Sequence, residues 1–232
     1  MVTTDTADQA RRAASARSGY FIAVSGLPAS GKTTLATNVA RALDLPLFDK
    51  DRLLEDLFAR RGTGDAQWRR QLSREADAAM QRQVSASSGA VIASWWRHPG
   101  SGSDSGTPTR WLRELPGVLI ELHCRCEPQL AVSRFLARKR HPGHLDGGHS
   151  YATLLPDFVA QAALGPLALG PVLEVATDTG PDLSGLLCRL REALNRLPPR
   201  TAPAGAGLST GLPGQPAGTI GAAPDRSIRC FP

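Results

Sequence analysis

Residues Gly26-Leu27-Pro28-Ala29-Ser30-Gly31-Lys32-Thr33 meet the pattern G-x-x-x-x-G-K-[ST] at every fixed position. That spacing suits the grip of a protein on phosphate. Glycines let the backbone wrap the anion, successive N–H groups point inward, and the positive end of the following helix faces the same charge. Lys32 is placed to reach the β- and γ-phosphates of a nucleoside triphosphate, and the Thr33 hydroxyl to ligate Mg²⁺. The expected cradle covers every residue from Gly26 to Thr33 together with Thr34.

Two further groups of residues have the types and spacing for chemistry. Asp49-Lys50-Asp51 follows a short apolar run, at the edge where open α/β sheets bind ligands. Asp51 is also a suitable N-cap for a helix beginning Arg52-Leu53-Leu54, and Lys50 is open to two readings, a phosphate contact or a solvated side chain. Further on, Arg138-Lys139-Arg140-His141-Pro142-Gly143-His144 is strongly basic. Arg134, Arg138 and His141 fall opposite an apolar face of Val132, Phe135 and Leu136, so they avoid the core. His141, His144 and His149 with Asp146 invite a metal reading, but Pro142 and Gly143 put a turn where ligand spacing needs a helix.

Alternating strands and helices must hold these groups, which predicts a three-layer α/β/α fold with a mainly parallel five-stranded sheet. The expected strands are Tyr20 to Ser25, Leu45 to Phe48, Ala90 to Trp95, Val118 to Cys124 and Val172 to Val175. Helices are expected from Lys32, from Asp51 to about Arg61, from Asp65 to Ser88, from Pro128 to about Arg140, over Tyr151 to Leu164 and from Asp182 to Arg196. Thr107-Pro108 reads as an N-cap with proline at the first helical position. One domain is expected over 19–197, between disordered tails at 1–18 and 198–232 whose compositions lack an apolar stripe.

Composition narrows the partners. The formal net charge is +6, but the two tails carry half of it and the domain only +3, so a polynucleotide substrate is not required by charge. No run approaches the roughly 20 apolar residues of a membrane span, and the polar N-terminus lacks a signal-peptide core, so the expected location is cytoplasmic. The four cysteines make no disulfide framework, and Cys124 and Cys126 read as core.

On the Gly26–Thr33 loop, Asp51 and the basic run at 138–144, the sequence resembles the P-loop kinase superfamily, specifically its AAA-domain, zeta-toxin, chloramphenicol phosphotransferase and polynucleotide 5′-kinase-like ATP-binding proteins. The resemblance implies a kinase using ATP and Mg²⁺, with a basic helical lid. It implies that Asp51 is the acceptor-side aspartate, accepting the proton of an attacking hydroxyl. It makes Lys32, Asp51 and Arg138 the catalytic candidates, Thr33 the metal ligand, and Arg134, Arg138 and Arg140 the nucleotide contacts from the lid. Such kinases often end strand three with an aspartate; here Ser94 stands there, and Glu121 on strand four is a weaker substitute. Trp95, Trp96 and Arg97 beside it offer a platform for a ring-containing or anionic acceptor, and the loop at 176–181 falls where adenine is contacted. The acceptor is expected to be a small molecule. The readings kept beside this one are an ATP-binding regulatory protein or weak ATPase, and a polynucleotide 5′-kinase.

Overall fold

The fold follows from one strand whose two faces are both apolar. Strand β1, Tyr20–Gly26, alternates Phe21 and Ala23 toward one face with Ile22 and Val24 toward the other, and all four are fully buried. A strand buried on both sides must lie inside a sheet covered by helices, and β1 is the middle strand of five. With β2 (Leu47–Asp49), β3 (Ala90–Ala93), β4 (Val118–Arg125) and β5 (Val172–Ala176), the sheet order is β2-β3-β1-β4-β5. Every pairing is parallel. The structure, a computed structural model, describes residues 19–197, so the expectations for 1–18 and 198–232 lie outside the described residues.

Helix α1 (Lys32–Leu43) and the last helix of the described residues (Leu183–Arg196) cover the Ile22–Val24 face, burying Leu35, Val39, Leu186 and Leu190. The opposite face carries Phe21, Ala23 and Ile92 against Met80 and Val84 of a long helix, with Trp96, Trp111 and Leu112 closing the edge. That gives the three expected layers. Helices α2 (Lys50–Arg61) and α3 (Ala66–Ser85) form a pair on their own small core of Leu54, Phe58, Leu72 and Ala76. Helices α4 (Pro128–Ala137) and α5 (Tyr151–Leu164) form a second pair around Phe135, Leu154 and Phe158; the last helix is α6. Helices α2, α3 and α4 line one cleft together with the loops after β1 and β3.

Four expectations are corrected. Helix α4 ends at Ala137, three residues before the expected end, because Arg138 turns to an extended conformation (φ −76, ψ 143). Helical spacing therefore does not relate Arg138 and His141 to Arg134. Leu136 is 42 % exposed rather than part of the inner face. Thr107 caps nothing: it is fully buried and bonded to Ser94 and Asp77, and the one-turn 3₁₀ helix after it, Arg110–Glu114, starts behind Thr109. The cap of α2 is Asp49, not Asp51, since the Asp49 side chain accepts from the Asp51 amide.

Candidate functional site

The loop between β1 and α1 takes the backbone that only glycine holds comfortably. Gly26 has φ 129, and a Cβ there would stand 2.5 Å from the Cys124 carbonyl oxygen. Gly31, with φ 91, opens α1 without a side-chain cap, so the first amides of the helix are left for a ligand. Lys32 bends back over the loop and donates to the carbonyl oxygens of Gly26 (3.1 Å) and Leu27 (2.6 Å). Burial pulls its ammonium down to about 8 despite Asp51 and Asp49 nearby. Ser30 Oγ, fully buried beside the Cys124 thiol, makes no full hydrogen bond. Ser30 Oγ and the leading amides of α1 lack partners that an anion would supply, and the Lys32 ammonium rests on carbonyls that an anion could replace. Pro28, Ala29, Gly31, Lys32, Thr33 and Thr34 line an open cleft of about 730 Å³, whereas Gly26 and Leu27 face a smaller, more apolar cavity of about 390 Å³ beside it.

Across the cleft from Lys32, β2 ends in Asp49. Its Oδ2 accepts from the Thr33 hydroxyl at 2.9 Å, while Oδ1 caps α2. Burial raises the Asp49 carboxyl and the neighbouring Asp51 raises it further, with the Thr33 bond working the other way. A carboxylate against the loop threonine is the arrangement that an octahedral Mg²⁺ held partly through water uses. Ser94 stands at the end of β3, and the acid nearest Thr33 is on the adjacent strand β2. Sequence reasoning passed over Asp49, although its position two before Asp51 and at a strand end was the available signal.

Asp51 sits in the first turn of α2, half exposed and lining the same cleft. Burial acts to raise its carboxyl, but Arg140, His144 and Lys32 outweigh it and the group is held below the usual range. Arg140 does this directly: its Nη2 donates to Asp51 at 2.5 Å while Nη1 donates to both oxygens of Asp146, at 3.2 and 2.9 Å. Arg138 lies over the Phe135 ring at 4.4 Å and 3.6 Å from Asp146, with its Nε buried and unpartnered. Arg134 donates to the carbonyl oxygens of Thr177 (3.0 Å) and Asp178 (2.7 Å), tying α4 to the loop after β5. Thus the loop residues Lys32 and Thr33, Asp51 and the three lid arginines are brought to one cleft.

The histidines of the lid go elsewhere. His141 stacks on Phe58 at 5.2 Å, and His144 Nε2 donates to Glu55 at 2.9 Å, so both fasten the lid to α2. Glu121 is likewise spent on structure. It is fully buried, accepts from the amides of Leu167 (2.8 Å) and Ala168 (2.9 Å) and from the Ser25 hydroxyl (2.5 Å), and cannot serve as the substitute acid. At the end of β3, Ser94 bonds Thr107 (2.6 Å), Thr107 donates to Asp77 (2.7 Å), and Asp77 pairs with Lys50 (3.1 Å). Trp96 belongs to the core, its indole N–H donating to Val24 O, and Arg97 pairs with Asp104; Trp95 lines both cavities.

A family model described as an AAA domain matches residues 21–145, more than half of the chain. A stretch of 41 residues is 54 % identical to the cytidylate kinase of Pyrobaculum islandicum, which is 18 % of this chain and spans only 22 % of that relative. Among solved structures, a candidate kinase from Chloroflexus aurantiacus is similar with TM-score 0.62 and 25 % identity, over 77 % of this chain and 97 % of the other. Shikimate kinase from Acinetobacter baumannii in complex with shikimate has the same fold, with TM-score 0.53 at 16 % identity, over 80 % and 99 % of the two chains. No helix among the described residues is long and apolar enough to cross a membrane.

Proposed function

This chain belongs to the AAA-domain family, and from that premise we propose that it is an ATP-dependent kinase moving the γ-phosphate to a hydroxyl of a small molecule. The observation that carries the reading is the meeting of Lys32 and Thr33 with Asp49 and Asp51 in one cleft. The cradle's glycine backbone, its unbonded Ser30 Oγ and the free amides of α1 fit a triphosphate, and the Thr33–Asp49 pair fits Mg²⁺. The metal, when bound, neutralises developing charge on the phosphates.

In the proposed reaction Lys32 leaves the carbonyls of Gly26 and Leu27 for the β/γ-phosphates, and ammonium charge is favoured by the anion it meets. Asp51 orients the acceptor hydroxyl and takes its proton as the new P–O bond forms. The bond between the γ-phosphorus and the β–γ bridging oxygen breaks, ADP leaves with that electron pair, and Asp51 returns the proton to solvent. For this Arg140 must release Asp51, and in doing so it becomes free, with Arg138, to stabilise the phosphoryl group in flight. The Asp51–Arg140 pair also favours a second reading, an ATP-binding protein that transfers little because its base stays engaged.

The test is transfer from γ-labelled ATP with Mg²⁺ to nucleosides, oligonucleotides, amino sugars and hydroxylated antibiotics, for wild type, Lys32→Ala and Asp51→Asn. A labelled acceptor formed by wild type and lost in both variants supports the kinase. Tight ATP binding with slow hydrolysis that Asp51→Asn leaves unchanged supports the second reading instead.

A further inference from the structure

One side of the cleft carries three arginines that no acid pairs with among the described residues. Helix α3 contributes Arg69, Arg70 and Arg74 to the lining of the cavity that Asp51 also lines. Arg70 and Arg74 stand four apart on a helix, a spacing at which like charges repel. The neighbours that could compensate are already engaged: Ser73 accepts from Lys50 at 2.8 Å, Asp77 pairs with the same ammonium at 3.1 Å, and Glu75 pairs with Arg61. Among the described residues none of the three arginines enters an ion pair. Arg69 is the most enclosed, half-buried with its Nε shut away from water and unpartnered. Burial above all acts against its charge; Asp146 and Asp51 act for it without pairing with it, since both are held by Arg140, and an arginine does not escape by losing its proton. What such a group lacks is an anion in direct contact.

We propose that the acceptor is itself an anion, a small hydroxyl compound bearing a phosphate or carboxylate, and that Arg69 with Arg70 and Arg74 binds that group while Asp51 meets the hydroxyl. The proposal rests on the phosphotransfer reading and deepens it. Guanidinium forks match both anions bidentately, and a fixed anchor on α3 would hold the hydroxyl in line with the cradle. A small acceptor is favoured over a polynucleotide because a cleft of about 730 Å³ must also admit the triphosphate, and the domain's net charge is only +3.

The experiment uses matched acceptors in the presence of Mg·ATP: glycerol against glycerate and glycerol 3-phosphate, ribose against ribose 5-phosphate, glucose against gluconate and glucose 6-phosphate, and a 5′-hydroxyl oligonucleotide. ADP formation is read for wild type, Arg69→Gln, Arg69→Lys and Arg70→Gln/Arg74→Gln, each checked by a thermal melt. Binding of the same compounds is titrated calorimetrically to protein saturated with a non-hydrolysable ATP analogue. The expected result is an anionic member at least about tenfold better in kcat/KM than its neutral partner. Arg69→Gln erases that advantage chiefly through KM, and Arg69→Lys restores part of it. Equal use of neutral members, a preference that survives all the substitutions, or use of the oligonucleotide alone overturns the proposal. If ATP binds but nothing is phosphorylated, the kinase reading fails, and calorimetry still decides the anion site: binding lost in Arg69→Gln upholds it, and absence of anion binding in wild type removes it.

Discussion

The phosphate cradle and the acceptor wall handle charge in opposite ways. In the cradle the polar groups are held ready and poorly satisfied: Lys32 rests on two carbonyls, Ser30 Oγ makes no full bond, and the first turn of α1 has no side-chain cap. On the wall, the acids already have partners, with Asp51 and Asp146 sharing Arg140 and Asp77 taking Lys50. The first region keeps an unfavourable resting state that the proposed triphosphate would relieve. In the second, the acids are satisfied until an acceptor displaces their partners, so reaching Asp51 requires breaking its pair with Arg140, whereas the α3 arginines of the same wall enter no ion pair among the described residues.

The sharpest way to break this contrast is to remove the strained charge. Lys32→Met is expected to lower transfer by about 10²–10³-fold, the scale for a lost transition-state contact. It should also raise the melting temperature of the nucleotide-free protein at pH 7 by a few degrees. The folded ammonium titrates near 8 against 10.5 unfolded, so the unfolded chain binds more protons between those values. The cost of burying the charge is full below 8, and wild-type stability gains from this group as pH rises from about 8 to 10.5. Melts at pH 7 and pH 9.5 should therefore show the variant's advantage shrinking. An Lys32→Met protein that melts lower at pH 7 would contradict the strained resting state.

Asp49→Asn comes next in size. Asparagine caps a helix about as well as aspartate, so stability should stay within about 0.5 kcal/mol by chemical denaturation. Transfer should nevertheless fall about 10²-fold, with a higher Mg²⁺ concentration needed for half-maximal rate, because the carboxylate beside Thr33 is gone. A rate and Mg²⁺ dependence like wild type would confine Asp49 to capping.

Arg140→Gln tests the wall. With Arg140 gone, the influence holding the Asp51 carboxyl down is reduced, so its proton is lost at higher pH. The acid limb of the pH profile of kcat/KM should move to higher pH, with the largest loss of rate, up to about tenfold, on the acid side. An unmoved limb would mean that Asp51 is not the titrating base.

These outcomes bear on what the sequence could disclose. The cradle was legible because its eight residues are contiguous and local geometry alone dictates glycine at 26 and 31. The five strands and their helices were legible from apolar runs and periodicity, within a few residues at the ends. Asp49 was not, because its meaning lies in a contact with Thr33 across the whole of α1. The lid was half legible. Its basic character is plain, but the helix was expected to run to Arg140, and tertiary contacts end it earlier: Arg140 is drawn to Asp51 and Asp146, and His141 stacks on Phe58. Thr107 misled for the same reason, since a hydroxyl before proline looks like a cap until Asp77 is seen to accept its hydrogen bond.

The smallest expected effect concerns how the wall is fastened. His144 is buried, with Nε2 donating to Glu55 of α2, its ring edge against Phe58, Arg140, Asp51 and Asp146 nearby, and Nδ1 unpartnered. Burial first, and Arg140 second, lower its pKa below 6.5, so the unfolded chain takes up the proton more readily than the fold. Stability from this group is therefore present above 6.5 and lost as pH falls below it, through the unfolded value. Acidification from pH 7.5 to 5.5 should lower the melting temperature of wild type more than it lowers that of His144→Gln. Hydrogen exchange should locate the loss at the contact of α2 with residues 141–146, while the cradle amides stay protected, because the acid-sensitive group lies on the wall. Equal acid sensitivity in both proteins, or protection lost first in the cradle, would place the weak point on the other side of the cleft.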